Sequence, residues 1–344
     1  MSKKPGKRKK RDKSHRALNR DPYHAAIWFN RGTALAISEK FQKALSCYDK
    51  ALERDPLFAP AWYSKGIILG RLGNYKEALT CFDEALKRNP DDAMTWFGKG
   101  MALHDLEKND EALICYDEAL KRDPTHADAW HNKGVLLGEV EKYEEAIACY
   151  DESLRTNPYS VDTWHNKGEI LNILESYEEA LFCYDKTLQI DPFDANTWNS
   201  KGAVLGILGK DEEALACFDE ALTHFSKFTE ETAEREYVAE TWYNKGVTLA
   251  HLRRYEEAIT CYDEALRIDP HFREAWYYKG LTLQELGKYE EAVTCFDEVL
   301  KMNCEDTDTW YDKGMALKRL GRLKEAASCF KKVTKIDPGV RYTE

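Results

Sequence analysis

What this sequence of 344 residues lacks narrows its roles before anything present does. No stretch approaches the roughly 18 consecutive apolar residues that a membrane span needs. The basic N-terminus has no apolar segment behind it, so neither a membrane anchor nor a secretion signal is expected. A Gly-rich phosphate loop, HExxH, GxSxG and paired CxxC are absent as well. The expectation is therefore a chain that is not an enzyme, with no cofactor and no metal. Proline is sparse, with 10 residues, and it recurs at a regular spacing taken up below.

What is present is a composition of 43% hydrophobic and 32% charged residues, enough apolar material for a large core. The net charge of −11 conceals two opposed regions. Residues 1–20 hold ten Lys or Arg against one acid, a balance of +9, which leaves −20 for the remainder. Ten cysteines in a chain of this length point to reduced thiols and a cytoplasmic setting, since disulfide frameworks belong mainly to small secreted domains.

The nine tryptophans stand at 28, 62, 96, 130, 164, 198, 242, 276 and 310, spaced by 34 residues except for one interval of 44. A glycine follows each Trp by four residues, from Gly32 to Gly314, and an alanine follows by sixteen, from Ala44 to Ala326. Within one unit, Trp62, Gly66, Leu69 and Leu72 trace one face at helical spacing. Ala78, Cys81, Phe82, Ala85 and Leu86 form the stripe of a second amphipathic helix, which Pro90 ends. An interior glycine costs a helix about 1 kcal/mol relative to alanine, so a glycine in every first helix calls for close helix crossing.

This pattern of Trp, Gly, Ala, Tyr/Phe, Ala and Pro at a 34-residue period closely resembles the tetratricopeptide repeat, a helix–turn–helix unit. The resemblance implies an all-α fold, an α-solenoid of nine hairpins stacked as a right-handed superhelix. It divides the chain into a basic arm (1–15), a partial helix before the array (16–24), repeats one to six (25–228), a helical insertion (229–238), repeats seven to nine (239–340) and a short tail (341–344). Phe225, Phe228 and Tyr237 are expected to project from the stack around the insertion. The terminal proline becomes Ser226 and Cys304 in two repeats, where different turns are expected. Asn109, Asp211 and Leu323 replace the aromatic that opens the second helix elsewhere, which leaves the packing there open. In the last repeat, Lys331 and Thr334 suit a helix that faces water.

Nine cysteines form a column from Cys47 to Cys329. Neighbours in it would sit two helix widths apart, where helices pack at about 8–10 Å, too far for a disulfide or a shared zinc. A packing role is expected for them, with Cys304 the exposed thiol. A basic column (Arg31, then Lys65 and its equivalents to Lys313) and an acidic one (Asp49 and its equivalents to Asp297) suggest a ladder, each aspartate pairing with the lysine of the next repeat. A phosphate-binding strip is the alternative use of those lysines. His131 and His165 recur in identical HNKG contexts, on neighbouring helices too far apart to ligate one metal.

The resemblance places a binding groove along the first helices. Its fifth-position column reads Phe29, Tyr63, Phe97, His131, His165, Asn199, Tyr243, Tyr277 and Tyr311, and its sixth includes Asn30, Asn132, Asn166 and Asn244. Rings give apolar area and Asn satisfies backbone N–H and C=O together, so an extended peptide or partner surface is the expected ligand. The asparagines resemble the asparagine ladder of some family members, although Ser64, Gly98, Ser200, Tyr278 and Asp312 interrupt it. The carboxylate clamp of chaperone-binding members is missing. A second position rich in acids (Asp128, Asp162, Glu240, Glu274, Asp308) suits a partner of basic character. The sequence thus reads as a scaffold or adaptor for protein–protein interaction. The alternative is an adaptor associated with nucleic acid or ribosomes, tethered by the basic arm.

Overall fold

The structure, a computed structural model, describes residues 21–225 and 232–337. Every element among the described residues is a helix: α1 (Pro22–Ile37), α2 (Phe41–Arg54), α3 (Ala59–Arg71), α4 (Tyr75–Leu86), α5 (Ala93–His104), α6 (Asn109–Arg122), α7 (Ala127–Glu139), α8 (Tyr143–Thr156), α9 (Val161–Ile173), α10 (Tyr177–Ile190), α11 (Ala195–Ile207), α12 (Asp211–Phe225), α13 (Thr232–His251), α14 (Tyr255–Ile268), α15 (Arg273–Glu285), α16 (Tyr289–Met302), α17 (Thr307–Arg319) and α18 (Leu323–Ile336). They form two compact units, one through Pro158 with α1–α8 and one from Tyr159 with α9–α18. The basic arm, residues 16–20 of the expected partial helix, Ser226, Phe228 and the tail 341–344 lie outside the described residues. Pro22 to His24 form the first turn of α1, which Asp21 caps by accepting from the His24 N–H at 3.2 Å.

Within each unit, consecutive helices pack against each other, and the first helices of successive repeats also touch: α1, α3, α5 and α7 in one, α9, α11, α13, α15 and α17 in the other. Among the described residues, no two second helices approach as closely. The first helices therefore make the inner layer of each unit and the second helices its outer layer.

The packing explains the repeated columns. Tyr48, Phe82, Tyr116, Tyr150, Tyr184, Phe218, Tyr262 and Phe296, one per second helix, are at most 2% exposed. Burial of a ring of this size stabilises by about 3 kcal/mol. Each ring lies directly against the glycine of its own hairpin: a Cβ built on Gly134 would stand 2.7 Å from Tyr150 Cε1, and one on Gly246 would stand 2.6 Å from Tyr262 Cε1. The glycine makes room for a ring, which is more specific than a close helix crossing. The alanine column is 0–3% exposed throughout. Where the opening aromatic is missing, Asn109 and Asp211 each bury a side-chain oxygen without a protein partner.

The turn from first to second helix is the same in every repeat. The backbone N–H of the residue that precedes each second helix donates to the carbonyl five residues back, as in Lys108 N to Leu103 O at 3.0 Å and Lys142 N to Leu137 O at 2.8 Å. The residue before it stands in the left-handed region, which Gly73, Gly209, Gly287 and Gly321 enter freely at φ 70–75°. Glu39, Glu107, Glu141, Glu175 and Arg253 take the same conformation at φ 56–60°. A side chain there costs about 1 kcal/mol or more. Glu107→Gly and Glu141→Gly are accordingly expected to raise stability by about 1 kcal/mol each, and Gly73→Ala to lower it by a similar amount, measured as shifts in the urea midpoint.

At the end of the hairpin, the Trp indole N–H of the following repeat donates to the carbonyl of the proline: Trp62 to Pro56 (3.0 Å), Trp130 to Pro124 (2.9 Å), Trp276 to Pro270 (3.0 Å). Trp310 makes the same bond to Cys304 O at 2.9 Å, so of the two junctions without proline the one among the described residues does not turn differently. The carbonyl is what the tryptophan uses, and any residue provides one. Phe225 also departs from expectation: it is 6% exposed, a core residue of α12, while Tyr237 is 47% exposed. Lys331 and Thr334 on α18 are exposed.

Nine of the ten cysteines are buried and Cys304 is exposed. Burial pushes the thiols of Cys81, Cys115, Cys149, Cys217, Cys261 and Cys295 up to about 11, against a weaker downward pull from the nearby ladder lysines. Since the thiolate is the nucleophile, a disulfide reagent at pH 8 is expected to titrate Cys304 alone in the native chain and all ten thiols in denaturant. Fast labelling of two or more native thiols would contradict this packing.

Candidate functional site

The lysine and aspartate columns meet between repeats. Lys65 donates to Asp49 at 2.6 Å, Lys99 to Asp83, Lys133 to Asp117 and Lys201 to Asp185 each at 2.7 Å, and Lys245 to Asp219 and Lys279 to Asp263 each at 2.5 Å. Lys313 pairs with Asp297 in the same way. Each ammonium also lies 5.3–5.9 Å from the centre of the Trp ring three residues before it. The lysines keep only 16–24% of their side chains exposed, the aspartates 44–62%. Partly screened, each rung contributes on the order of 1 kcal/mol from the ion pair and the ring together. The sequence-predicted ladder therefore joins successive hairpins, and its lysines are engaged there instead of forming a phosphate strip.

The fifth-position column lies on the first helices, where each ring leans on the aromatic of its own second helix. In the first unit, Phe29 packs against Tyr48 (5.9 Å between ring centres) and Phe58 (5.2 Å), Tyr63 against Phe82 (6.2 Å), and His131 against Tyr150 (5.9 Å). Phe97 meets Tyr116 and His126 and is 8% exposed, so it offers a ligand little surface. Asn30 is exposed, and Asn132 gives its amide N–H to the carbonyl of Asp128 on its own helix at 2.9 Å.

In the second unit the column gathers into a denser site. His165 Nδ1 and Thr197 Oγ1 are 2.6 Å apart, and His165 Nε2 lies 3.8 Å from Glu169 Oε1, which also accepts from Tyr184 OH at 2.8 Å. Asn244 donates to Asn199 Oδ1 at 3.3 Å, and Asn199 is 6% exposed, so it offers a ligand little surface of its own. Asn166 and Tyr311 are half-buried on α9 and α17. Tyr243 meets Phe272 at 5.0 Å and Tyr278 at 5.7 Å, and Tyr278 meets Tyr277 at 5.6 Å, the last two pairs edge to face. Tyr277 OH donates to Asp312 Oδ2 at 2.7 Å. Burial pushes the Asp312 carboxyl up, that hydrogen bond opposes the shift, and Asp308 and Asp306 add to it.

Two cavities open along this face. One, of 290 Å³, is lined by His165, Glu169, Asn196, Asn199, Ser200, Tyr237 and Glu240. The other, of 430 Å³, is lined by Glu236, Ala239, Glu240, Tyr243, Asn244, Asp269 and Phe272. They share Glu240. Neither has a lysine or arginine in its lining. A larger space of 490 Å³ beside α12, α13 and α14 is bounded by Asp219, Lys245, Arg254 and Glu257, charges already paired with each other.

The sequence reading did not single out Tyr237, Glu236 and Phe272, which line these cavities, or Tyr278, which packs on Tyr243 and Tyr277 beside them, as candidates for this face. The first two belong to the N-terminal extension of α13, a 20-residue helix where other first helices of this unit have 13. Phe272 precedes its helix, and Tyr278 counted only as an interruption of the asparagines. Aromatics on an acidic helical stretch were the available signal.

Family models described as tetratricopeptide repeat match residues 25–57, 63–127, 115–148, 161–194, 239–272, 274–303 and 307–339. No curated protein matches the chain. Similar solved structures include YrrB, described as a TPR protein with an unusual peptide-binding site, at 26% identity over 58% of this chain and 97% of that one, TM-score 0.49. The APC/C hetero-tetramer Cut9–Hcn1 matches at 20% identity over 85% of this chain and 55% of that one, TM-score 0.58. PilF of Pseudomonas aeruginosa matches at 19% identity over 64% of this chain and 95% of that one, TM-score 0.53. Among the described residues no helix is long and apolar enough to cross a membrane. With helix pairs repeated through both units and family models matching most of the chain, the protein belongs to the tetratricopeptide repeat family and is a helical scaffold for protein interaction.

Proposed function

We propose that the protein is a non-enzymatic adaptor that binds an extended peptide of a partner along the first helices of its second unit. One observation carries this reading: the two adjoining cavities there combine aromatic rings, amides and carboxylates along successive first helices. A preformed groove of this kind spares the partner the cost of ordering the receptor, and successive repeats contact successive residues. The acids favour a partner of basic character. The division into repeats 25–228 and 239–340, with a helical insertion at 229–238, belongs to the same reading, because the lengthened α13 brings Glu236 and Tyr237 to the groove. A cytoplasmic setting fits the ten thiols, nine of them buried.

Selection of random twelve-residue peptides on the immobilised full-length chain tests the reading. The expected result is a set of binders that lose affinity on Tyr278→Ala and keep it on Phe182→Ala, which truncates an exposed ring on the second helix α10. The reverse pattern, or no selected peptide, overturns it.

A further inference from the structure

The smaller of the two cavities is asymmetric in charge. Glu169 enters it from α9 and Glu240 from α13, and no Lys or Arg lines it. Its one basic residue, His165, is oriented by Thr197 at Nδ1, which sets Nε2 3.8 Å from Glu169. Tyr184 supports that carboxylate from behind with a 2.8 Å hydrogen bond. Glu240 is exposed as a residue while its carboxyl lies partly withdrawn from solvent, and that burial pushes its pKa up; Asn244 opposes this by hydrogen bonding and Glu169 adds to it through charge.

Two carboxylates that share a cavity repel one another, and a cation placed between them relieves the repulsion. The other walls suit the rest of a long cationic side chain. Tyr237, 47% exposed, presents a ring against which an alkyl stem or a guanidinium can lie. Asn199 and Ser200 supply polar atoms to the cavity lining. At 290 Å³ the space falls just below the roughly 300–1,000 Å³ of small-molecule sites, which suits one side chain better than a whole metabolite. It opens beside the second cavity through the shared Glu240, so a side chain seated in it leaves the peptide backbone running toward Asn244 and Tyr243.

We propose that the cavity between Glu169 and Glu240 is a specificity pocket for one Lys or Arg side chain of the peptide bound in the groove. This rests on the groove reading above and adds to it the residue type read at one register.

The test uses the full-length chain and a random twelve-residue peptide library. Peptides selected on the unaltered chain are expected to carry Lys or Arg at one fixed position. Replacing that residue by norleucine should weaken binding at least tenfold on the unaltered chain and have no effect on a Glu169→Gln/Glu240→Gln variant. Because Glu169 also accepts from Tyr184, the solvent-exposed Glu240→Gln alone serves as a second variant, expected to show part of the same loss with unchanged thermal stability. Binders with no fixed cation, or binders that keep their affinity on the double variant, overturn the pocket while leaving the groove standing. Failure to select any peptide overturns the groove reading and the pocket with it.

Discussion

Gly246→Ala is expected to destabilise the second unit by about 2 kcal/mol, while the same change at Gly70 is expected to stabilise the first by about 0.5–1 kcal/mol. Both glycines lie within helices, and alanine is the better helix former at each, a gain of up to about 1 kcal/mol. They differ in what a methyl group meets. At Gly246 it would stand 2.6 Å from Cε1 and 2.8 Å from Cδ1 of Tyr262, whereas at Gly70 nothing lies within 4 Å. Tyr262 is 0% exposed and packs against Tyr243, so it has no empty space to move into. Overpacking of this kind costs about 1–3 kcal/mol and outweighs the propensity gain. Because repeat arrays lose stability locally, the measurement is native-state hydrogen exchange. Protection should fall in α13 and α14 for Gly246→Ala and rise in α3 for Gly70→Ala. Equal effects at the two sites would mean that the glycine column does not serve the rings.

Tyr278→Ala is expected to weaken selected groove peptides by about 2 kcal/mol, roughly 30-fold, with little change in stability. The residue lies on α15, 37% exposed, at the centre of the cluster formed with Tyr243 and Tyr277. Its exposed edge is apolar area available to a ligand, and its buried edge fixes its orientation without holding the core. Aromatic anchors of this sort dominate interface energies. Isothermal titration of a selected peptide, with thermal melts of the same samples, separates lost contact from lost fold. An unchanged Kd would place the bound peptide elsewhere. Tyr243→Ala is a poorer probe, because that ring also supports Tyr262 and Phe272.

The fold was legible in the sequence to an unusual degree, for a physical reason. A hairpin of 34 residues cannot bury its own apolar faces, so every hairpin meets the same demands from its neighbours and the same residue types recur. Trp, Gly and Ala at fixed spacing thereby specified helix pairs, and the ladder followed from charge columns whose partner changes to Lys331 in the last repeat. Periodicity also told the buried cysteines from Cys304. Where the requirement falls on the backbone, side-chain identity misled: Cys304 serves Trp310 as well as a proline does, because only the carbonyl is used.

The site was less legible, since the residues that make it do not recur. The sequence by itself determined the hairpin, its core and the candidate column along the first helices, all of which repeat under the same packing constraint. Only the tertiary structure decided that Phe97 and Asn199 turn inward, that Phe225 belongs to the core, and that the extension of α13 brings Tyr237 into one cavity with Glu169 and Glu240. Those facts depend on how far a helix extends and which neighbours it reaches, which a 34-residue register leaves open because solvent-facing positions carry no packing constraint to repeat.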